Sequence, residues 1–382
     1  MSAQTKTSSA GNFAKISAEA DSARDANDLD RAASLYRKAL ALRPSWAEGW
    51  WSLGTILYDQ DSYAPAAKAF GRLVTIDPKN GTAFLMLGLC EYQLNLNDKA
   101  MTHIQAAKQL GIKKDEQLEH VLRYHEGMLC LRRGAFEDAL DPLGILLNQG
   151  VRSEDLDAAF GMAVLLILPN TMPTDARRVQ VVLPAGRAEE LAQMKKTEEA
   201  RKAYDTLAQQ YSDFPNIHYA YGRFLLSLEE VDEAVKQFEE EIKRDPSHVR
   251  ARMEIAATHY RVDSAAGIPY VKEVIRLKPN YPFGHYLLGL LYFDSGNVAK
   301  SIPELETAVR MVPKEAQFQF ALGNAYARAG RKEEAARART EFRRLGGDVR
   351  STGGPSIYGQ QHTLSLDHSS GTPPSAGDPR PR

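Results

Sequence analysis

Cysteine is scarce: 382 residues include two, Cys90 and Cys130. Two thiols cannot form a disulfide framework of the kind that staples small extracellular domains, and both read as small buried fillers. Net charge is also low, with 48 Lys and Arg against 49 Asp and Glu for a formal balance of −1. Both signs are mixed along most of the sequence, so no basic stripe is present for a nucleic-acid backbone, and nucleic acid is not expected as a partner. No apolar run reaches the ~18 residues that would read as a membrane span. The opening MSAQTKTSSAGNFAK has no hydrophobic stretch of a signal peptide. The expectation is a cytoplasmic monomer without direct membrane insertion; a periplasmic or secreted chain whose N-terminus had been processed would read the same.

Catalytic punctuation is missing too. The sequence has no phosphate-cradling glycine loop, no HExxH, no GxSxG and no paired CxxC. His120 and His125 lie five residues apart, about 140° around a helix, so their imidazoles cannot face one ion. His218, His259 and His285 stand where other parts of the chain hold packing residues, and read as core or groove side chains. No catalytic residue, cofactor site or metal site is expected.

What is present is a period. Small residues recur at Ala20, Gly54, Gly88, Gly127, Gly161, Ala188, Gly222, Ala256, Gly289 and Gly323, at intervals of 34, 34, 39, 34, 27, 34, 34, 33 and 34. A second series sits twelve positions later in most steps: Ala32, Ala66, Ala100, Ala139, Ala200, Ala234, Ser301 and Ala335. A fixed step of this length means stacked supersecondary units, each unable to bury its apolar face alone. Within one step, Trp50, Leu53, Gly54 and Leu57 fall on one helical face and Ala66, Phe70 and Leu73 on a second. Pro78 follows the second helix. Between the helices stands Asp61, with Asn27, Asn95, Gly134, Gly296 or Gly330 at the matching places, all tolerant of positive φ. Gly54 and Ala66 are expected as the close contacts between the helices, with Phe70 filling the gap towards the next pair.

The spacing Trp50–Leu53–Gly54–Leu57–Ala66–Phe70–Pro78 resembles the tetratricopeptide repeat. It recurs as His218–Tyr221–Gly222–Leu225–Ala234–Phe238–Pro246 and as His285–Leu288–Gly289–Tyr292–Ser301–Leu305–Pro313. The resemblance implies an all-α, right-handed α-solenoid of about ten stacked antiparallel helix pairs. The expected layout is a disordered tail over 1–11, a first block of repeats over 12–168, an irregular break over 169–184, a second block over 185–346 and a disordered Gly/Ser/Pro-rich tail over 347–382. His362 and His368 fall in that last tail. Extra residues at 111–118 read as a longer loop. Repeat eight is one residue short, with Gly267 where Ala is usual. Arg339 stands where a large apolar residue is expected, which suits a terminal helix with one wet face. In the break, three prolines in PNTMPTDARRVQVVLPAG point either to a shortened second helix of the fifth repeat or to a loop that interrupts the stack, with a short helix near 175–182 as the favoured reading.

The resemblance also implies that the first helix of each pair lines a concave side. Its expected solvent-facing positions are Trp51, Leu85, Tyr124, Tyr219, Tyr286 and Phe320, followed by Tyr58, Tyr92, Tyr260 and Phe293. Leu89, Met128, Arg223, Leu290 and Asn324 lie between them. Aromatic and Met-rich exposure marks interaction surfaces, so the expected function is a non-catalytic scaffold or adaptor. It would hold a peptide, an amphipathic helix or a protein partner in an aromatic-lined groove, with Arg223, Arg261 and Arg328 as polar anchors. Receptors of this family that clamp a C-terminal carboxylate use Lys and Asn there, and only Asn324 matches in type. The alternative is a structural, self-assembling or auxiliary subunit of a larger enzyme or secretion complex.

Overall fold

The computed structural model describes residues 2–112 and 115–347, with side chains from Gly11 onward. The tail expected from residue 348, including His362 and His368, lies outside the described residues. Among those described there are nineteen α-helices and no strand. They pair as α1 (Ser2–Asp25) with α2 (Leu29–Leu42), α3 (Ala47–Asp59) with α4 (Tyr63–Ile76), α5 (Gly81–Gln93) with α6 (Asn97–Leu110), and α7 (Glu116–Arg132) with α8 (Phe136–Asn148). The helix α9 (Glu154–Val164) has no helical mate. Pairing resumes with α10 (Leu183–Gln193) and α11 (Thr197–Gln210), α12 (Ile217–Ser227) and α13 (Val231–Arg244), and α14 (Val249–Thr258) and α15 (Ser264–Leu277). It ends with α16 (Pro282–Asp294) and α17 (Val298–Met311), and α18 (Ala316–Arg328) and α19 (Lys332–Arg344). The described chain divides into two compact units, one made of residues up to 163 with 167–172, the other of 164–166 with 173 onward.

Each pair closes on its small residue. A Cβ on Gly54 would lie 2.8 Å from the Phe70 ring, one on Gly222 2.5 Å from Phe238, one on Gly88 2.9 Å from Ile104 and one on Gly289 2.6 Å from Leu305. In every case the covering side chain comes sixteen positions later, from the second helix of the same pair. Phe70 therefore fills its own pair, where the spacing had suggested the gap to the next. Ala20 under Tyr36 and Ala188 under Tyr204 repeat the arrangement, with all four side chains buried. At Gly323 the Arg339 stem takes the place of the apolar residue, its Cγ 3.4 Å from the added Cβ. Its methylenes cover the glycine and leave the charge in water.

The turns inside the pairs share one chemistry. Asn27, Asp61, Asn95, Gly134, Gly296 and Gly330 all have positive φ. The next residue's N–H reaches back five positions, as from Ser62 to Leu57 O at 2.8 Å and from Asn297 to Tyr292 O at 2.7 Å. This pattern satisfies the last carbonyls of the first helix. The same conformation is forced on Lys195 (φ 58°), Glu229 (φ 63°) and Arg261 (φ 65°), residue types without the tolerance of Gly or Asn.

Three segments differ from the sequence reading. Helix α1 begins at Ser2, inside the expected tail; no proline precedes Pro44 to stop it. Asp115 accepts from the N–H groups of Gln117 and Leu118, so the expected loop over 111–118 ends in the capped start of α7. The short helix near 175–182 exists as a π-turn over Arg178–Val182, but it runs straight into α10. It is the approach to the sixth repeat's first helix, and the fifth repeat has only a single 3₁₀ turn at Pro169–Thr171 where a second helix would stand. Proline at 169 and 173 deprives that stretch of the N–H groups a helix needs.

These contacts predict opposite outcomes for two glycine exchanges. Gly222→Ala drives a Cβ into Phe238 and should lower stability by about 1–3 kcal/mol, of which the better helix propensity of Ala recovers at most about 1 kcal/mol. Glu229→Gly should raise stability by about 0.5–1 kcal/mol by relieving the left-handed turn. Urea unfolding followed by far-ultraviolet circular dichroism reads both; equal midpoints for the two variants would contradict the packing account.

Candidate functional site

The first helices of successive pairs touch one another, α5 with α7, α10 with α12, α14 with α16 and α16 with α18. Side chains on the expected concave face are therefore shielded by the neighbouring repeat. Leu85, Leu89, Tyr92, Met128, Tyr219, Tyr286 and Leu290 are buried. This corrects the expectation that they face solvent. Trp51, Tyr58, Tyr124, Arg223, Tyr260, Phe293, Phe320 and Asn324 are half-buried, and none of the fifteen positions is fully exposed.

In the first unit, Trp51 meets the Phe70 ring edge-on at 5.8 Å and Tyr58 meets Tyr63 at 5.4 Å. The Arg132 guanidinium lies 3.5 Å over the Tyr92 ring and donates to Tyr92 O at 2.8 Å. Tyr92 and Tyr124 each pack edge-on against His125, and burial pushes the Tyr124 phenol up to about 12. His125 donates from Nδ1 to Val121 O at 2.8 Å, a bond within its own helix. Lys108 holds Glu126 Oε1 at 2.7 Å, and Arg123 its Oε2 at 3.3 Å. Cys90 and Cys130 are free and buried, their thiols pushed up to about 12 by burial. Such thiols are poor nucleophiles.

In the second unit, Tyr219 lies against His248 at 5.2 Å and Phe238 at 5.8 Å. Arg223 donates to Glu254 Oε1 at 3.1 Å, so its charge is spent inside the fold. Tyr286 stacks on Phe318 at 4.6 Å. The half-buried rings at the C-terminal ends of the first helices are different. Arg261 lies 5.2 Å over Tyr260 and Arg328 5.2 Å over Phe293. Neither guanidinium has a carboxylate partner among the described residues. Val262, next to Arg261 in the turn, is 85% exposed.

The histidines read from the sequence resolve into packing roles. Trp50 Nε1 donates to Pro44 O at 2.8 Å, and His285 Nε2 lies 3.0 Å from Pro279 O, six residues back in both cases. A ring N–H that ties the first helix to the preceding loop is the property Trp and His share at this position. His218 bridges Ser212 Oγ and Gln237 Oε1. His248, which sequence reasoning did not single out, caps α14 by accepting from the Ala251 N–H at 2.9 Å through Nδ1, so Nε2 carries the proton to Asn216 Oδ1 at 2.8 Å.

The Tetratricopeptide repeat family matches residues 17–81, 186–249, 225–282 and 286–339, more than half of the chain. The chain belongs to that family, a class of protein-interaction scaffolds. The matches skip 82–185, where the pairs α5–α6 and α7–α8 continue the same geometry up to the break. Among relatives, Superkiller protein 3 of Schizosaccharomyces pombe is 22% identical over 240 residues, which is 56% of this chain and 17% of the relative. General transcriptional corepressor trfA of Dictyostelium discoideum is 29% identical over 133 residues, 35% of this chain and 9% of the relative. The chain thus spans less than a fifth of either protein. Among solved structures, MamA 41-end from Desulfovibrio magneticus RS-1 aligns with a TM-score of 0.41 at 24% identity, over 45% of this chain and 96% of that one.

Two outcomes follow from the buried positions. Tyr286→Ala should destabilise by about 3–5 kcal/mol, the range for emptying a buried aromatic site; a stable, merely binding-deficient variant would show that the ring is not core. Burial pushes the His248 imidazole below its usual range, so the folded state binds fewer protons than the unfolded chain in mild acid. Stability is then full above the ordinary imidazole range and falls as pH drops through it. His248→Asn replaces the Nδ1 acceptor by a capping oxygen and removes the titration; it should flatten the melting-temperature profile between about pH 7.5 and about pH 5, and a profile as steep as the wild type's would refute the assignment.

Proposed function

We propose that this scaffold captures a peptide or amphipathic helix through the half-buried aromatic side chains of its first helices. In the second unit these are Tyr260, Phe293 and Phe320, joined by the half-buried amide of Asn324, with Arg261 and Arg328 as anchors. In the first unit they are Trp51, Tyr58 and Tyr124. The observation that carries the reading is the pair of guanidiniums stacked on Tyr260 and Phe293 without carboxylate partners among the described residues. Aromatic and arginine side chains that retain accessible surface are the types that dominate binding interfaces. A stacked guanidinium keeps its in-plane donors available for an incoming carboxylate or backbone carbonyl. The partner chemistry that suits this patch is an apolar side chain next to an acidic or carbonyl acceptor. The buried positions contribute by fixing the spacing of the repeats, so they set the surface without touching the partner.

The test is affinity capture from a lysate of the native host, with the retained proteins identified by mass spectrometry. Wild type is compared with Tyr260→Ala/Phe293→Ala/Arg328→Ala, which alters only half-buried or exposed side chains. The expected result is loss of one or more wild-type partners by a variant whose circular dichroism spectrum is unchanged. Retention of every partner by the folded variant would overturn the second-unit assignment; Trp51→Ala/Tyr58→Ala then tests the first unit in the same way.

A further inference from the structure

The first two repeats carry a cavity that the repeat pattern does not require. It lies between α2 and α4, over the start of α3, with a volume of about 460 Å³. Leu40 and Leu53, both buried, form its floor. The Trp50 ring forms one wall, with its N–H already donated to Pro44 O. That wall therefore presents carbon. Ile76, 38% exposed, lies at the rim. Arg37 enters from α2 and Arg72 from α4. Both are exposed, and neither has a hydrogen-bond or ion-pair partner among the described residues.

The charge on the two flanking helices is mostly positive. Together α2 and α4 carry Arg31, Arg37, Lys38, Lys68 and Arg72 against the single carboxylate Asp30, and Asp30 already accepts from Gln60 Nε2 at 2.9 Å. One repeat further on, the positions of Arg37, Arg72 and Trp50 are held by Gly71, Ala106 and Phe84. The cationic pair is thus particular to this cleft. Helix pairing does not explain it, since both guanidiniums are exposed and neither is held by a hydrogen bond or ion pair among the described residues.

We propose that this cleft is a second docking site, for an acidic peptide segment of a partner protein. An apolar side chain of the segment would enter the cavity over Leu40, Leu53 and Trp50, and carboxylates on either side of it would pair with Arg37 and Arg72. The cavity falls within the usual range for ligand pockets of about 300–1,000 Å³. Its carbon-lined floor favours a side chain over a bare anion or a lipid headgroup, and charge complementarity selects the acidic flanks. The site is separate from the second-unit surface proposed above, and either assignment can fail alone.

The experiment uses the full chain and a fluorescein-labelled peptide with Leu-Phe between two aspartates on each side. One control replaces Leu-Phe by Ser-Ser; the other replaces the aspartates by lysines. Fluorescence anisotropy reads binding. The intrinsic emission is a second readout, because all three tryptophans, Trp46, Trp50 and Trp51, lie in this one region. The wild type should bind the acidic peptide saturably, with a shift in tryptophan emission, and neither control should compete. Arg37→Ala/Arg72→Ala should weaken binding by about tenfold or more, since charge-assisted hydrogen bonds are lost. Ala41→Trp, which fills the cavity without changing its charge, should weaken it to a similar degree while leaving the circular dichroism spectrum unchanged. The proposal is overturned by absence of saturable binding, by equal binding of the Ser-Ser control, or by affinity that neither variant changes. Binding of phosphatidylserine vesicles without binding of the peptide overturns it as well, and assigns the cations to a membrane surface.

Discussion

Most helix pairs depend on a single close approach: a small residue on the first helix lies beneath a bulky side chain sixteen positions later. The contact sets how near the two axes come, and that distance decides which other side chains are buried. A β-carbon at Gly222 would overlap the Phe238 ring, so the pair cannot close around a larger residue. The contact also sets the length of the turn. Sixteen residues must hold the end of one helix, a reversal and the start of the next. A left-handed residue seven positions after the small one accomplishes this in most repeats. In repeat eight, one residue shorter, the left-handed residue Arg261 follows Ala256 by five, and Val271 takes the covering role one position early, fully buried.

Because the constraint is periodic, most of the fold was legible in the sequence. Small residues in phase marked the first helices, and Asn27, Asp61, Asn95 and the turn glycines marked the reversals. What escaped was local. A π-turn that leads into α10 cannot be told from a free short helix when its only signature is a few apolar residues between prolines. The left-handed turns at Lys195 and Glu229 carry no sequence signal, because neither residue type prefers that conformation. The exchange of Trp50 for His285 looked like a packing substitution, and only the bond to the loop carbonyl shows that a ring N–H is the conserved physical property within this chain.

Exposure was far less legible than fold. The positions read as a groove are on the first helices, as the family resemblance implies, yet whether such a side chain meets water depends on the repeat beside it. Tyr92 and Tyr260 occupy the same place in their repeats. Tyr92 is buried under Arg132, whereas Tyr260 is half-buried, with Arg261 over its ring. Residue type alone cannot separate the two, since the difference lies in what a neighbouring helix brings.

In a repeat protein, the departures that packing explains can be set apart from those it does not, and function is best sought among the second group. Arg339 in place of an apolar residue is explained by its stem over Gly323. Arg223 is explained by its bond to Glu254 and His218 by its two polar partners. Arg37, Arg72, Arg261 and Arg328 have no such account. Each is a long cation whose charge the fold leaves unpaired among the described residues, beside carbon surface that the fold leaves partly open. A solvated arginine costs little by itself, so one alone would mean nothing. Two pairs, each placed against an aromatic or aliphatic surface, are the departures from the repeat that packing within this chain leaves without an account.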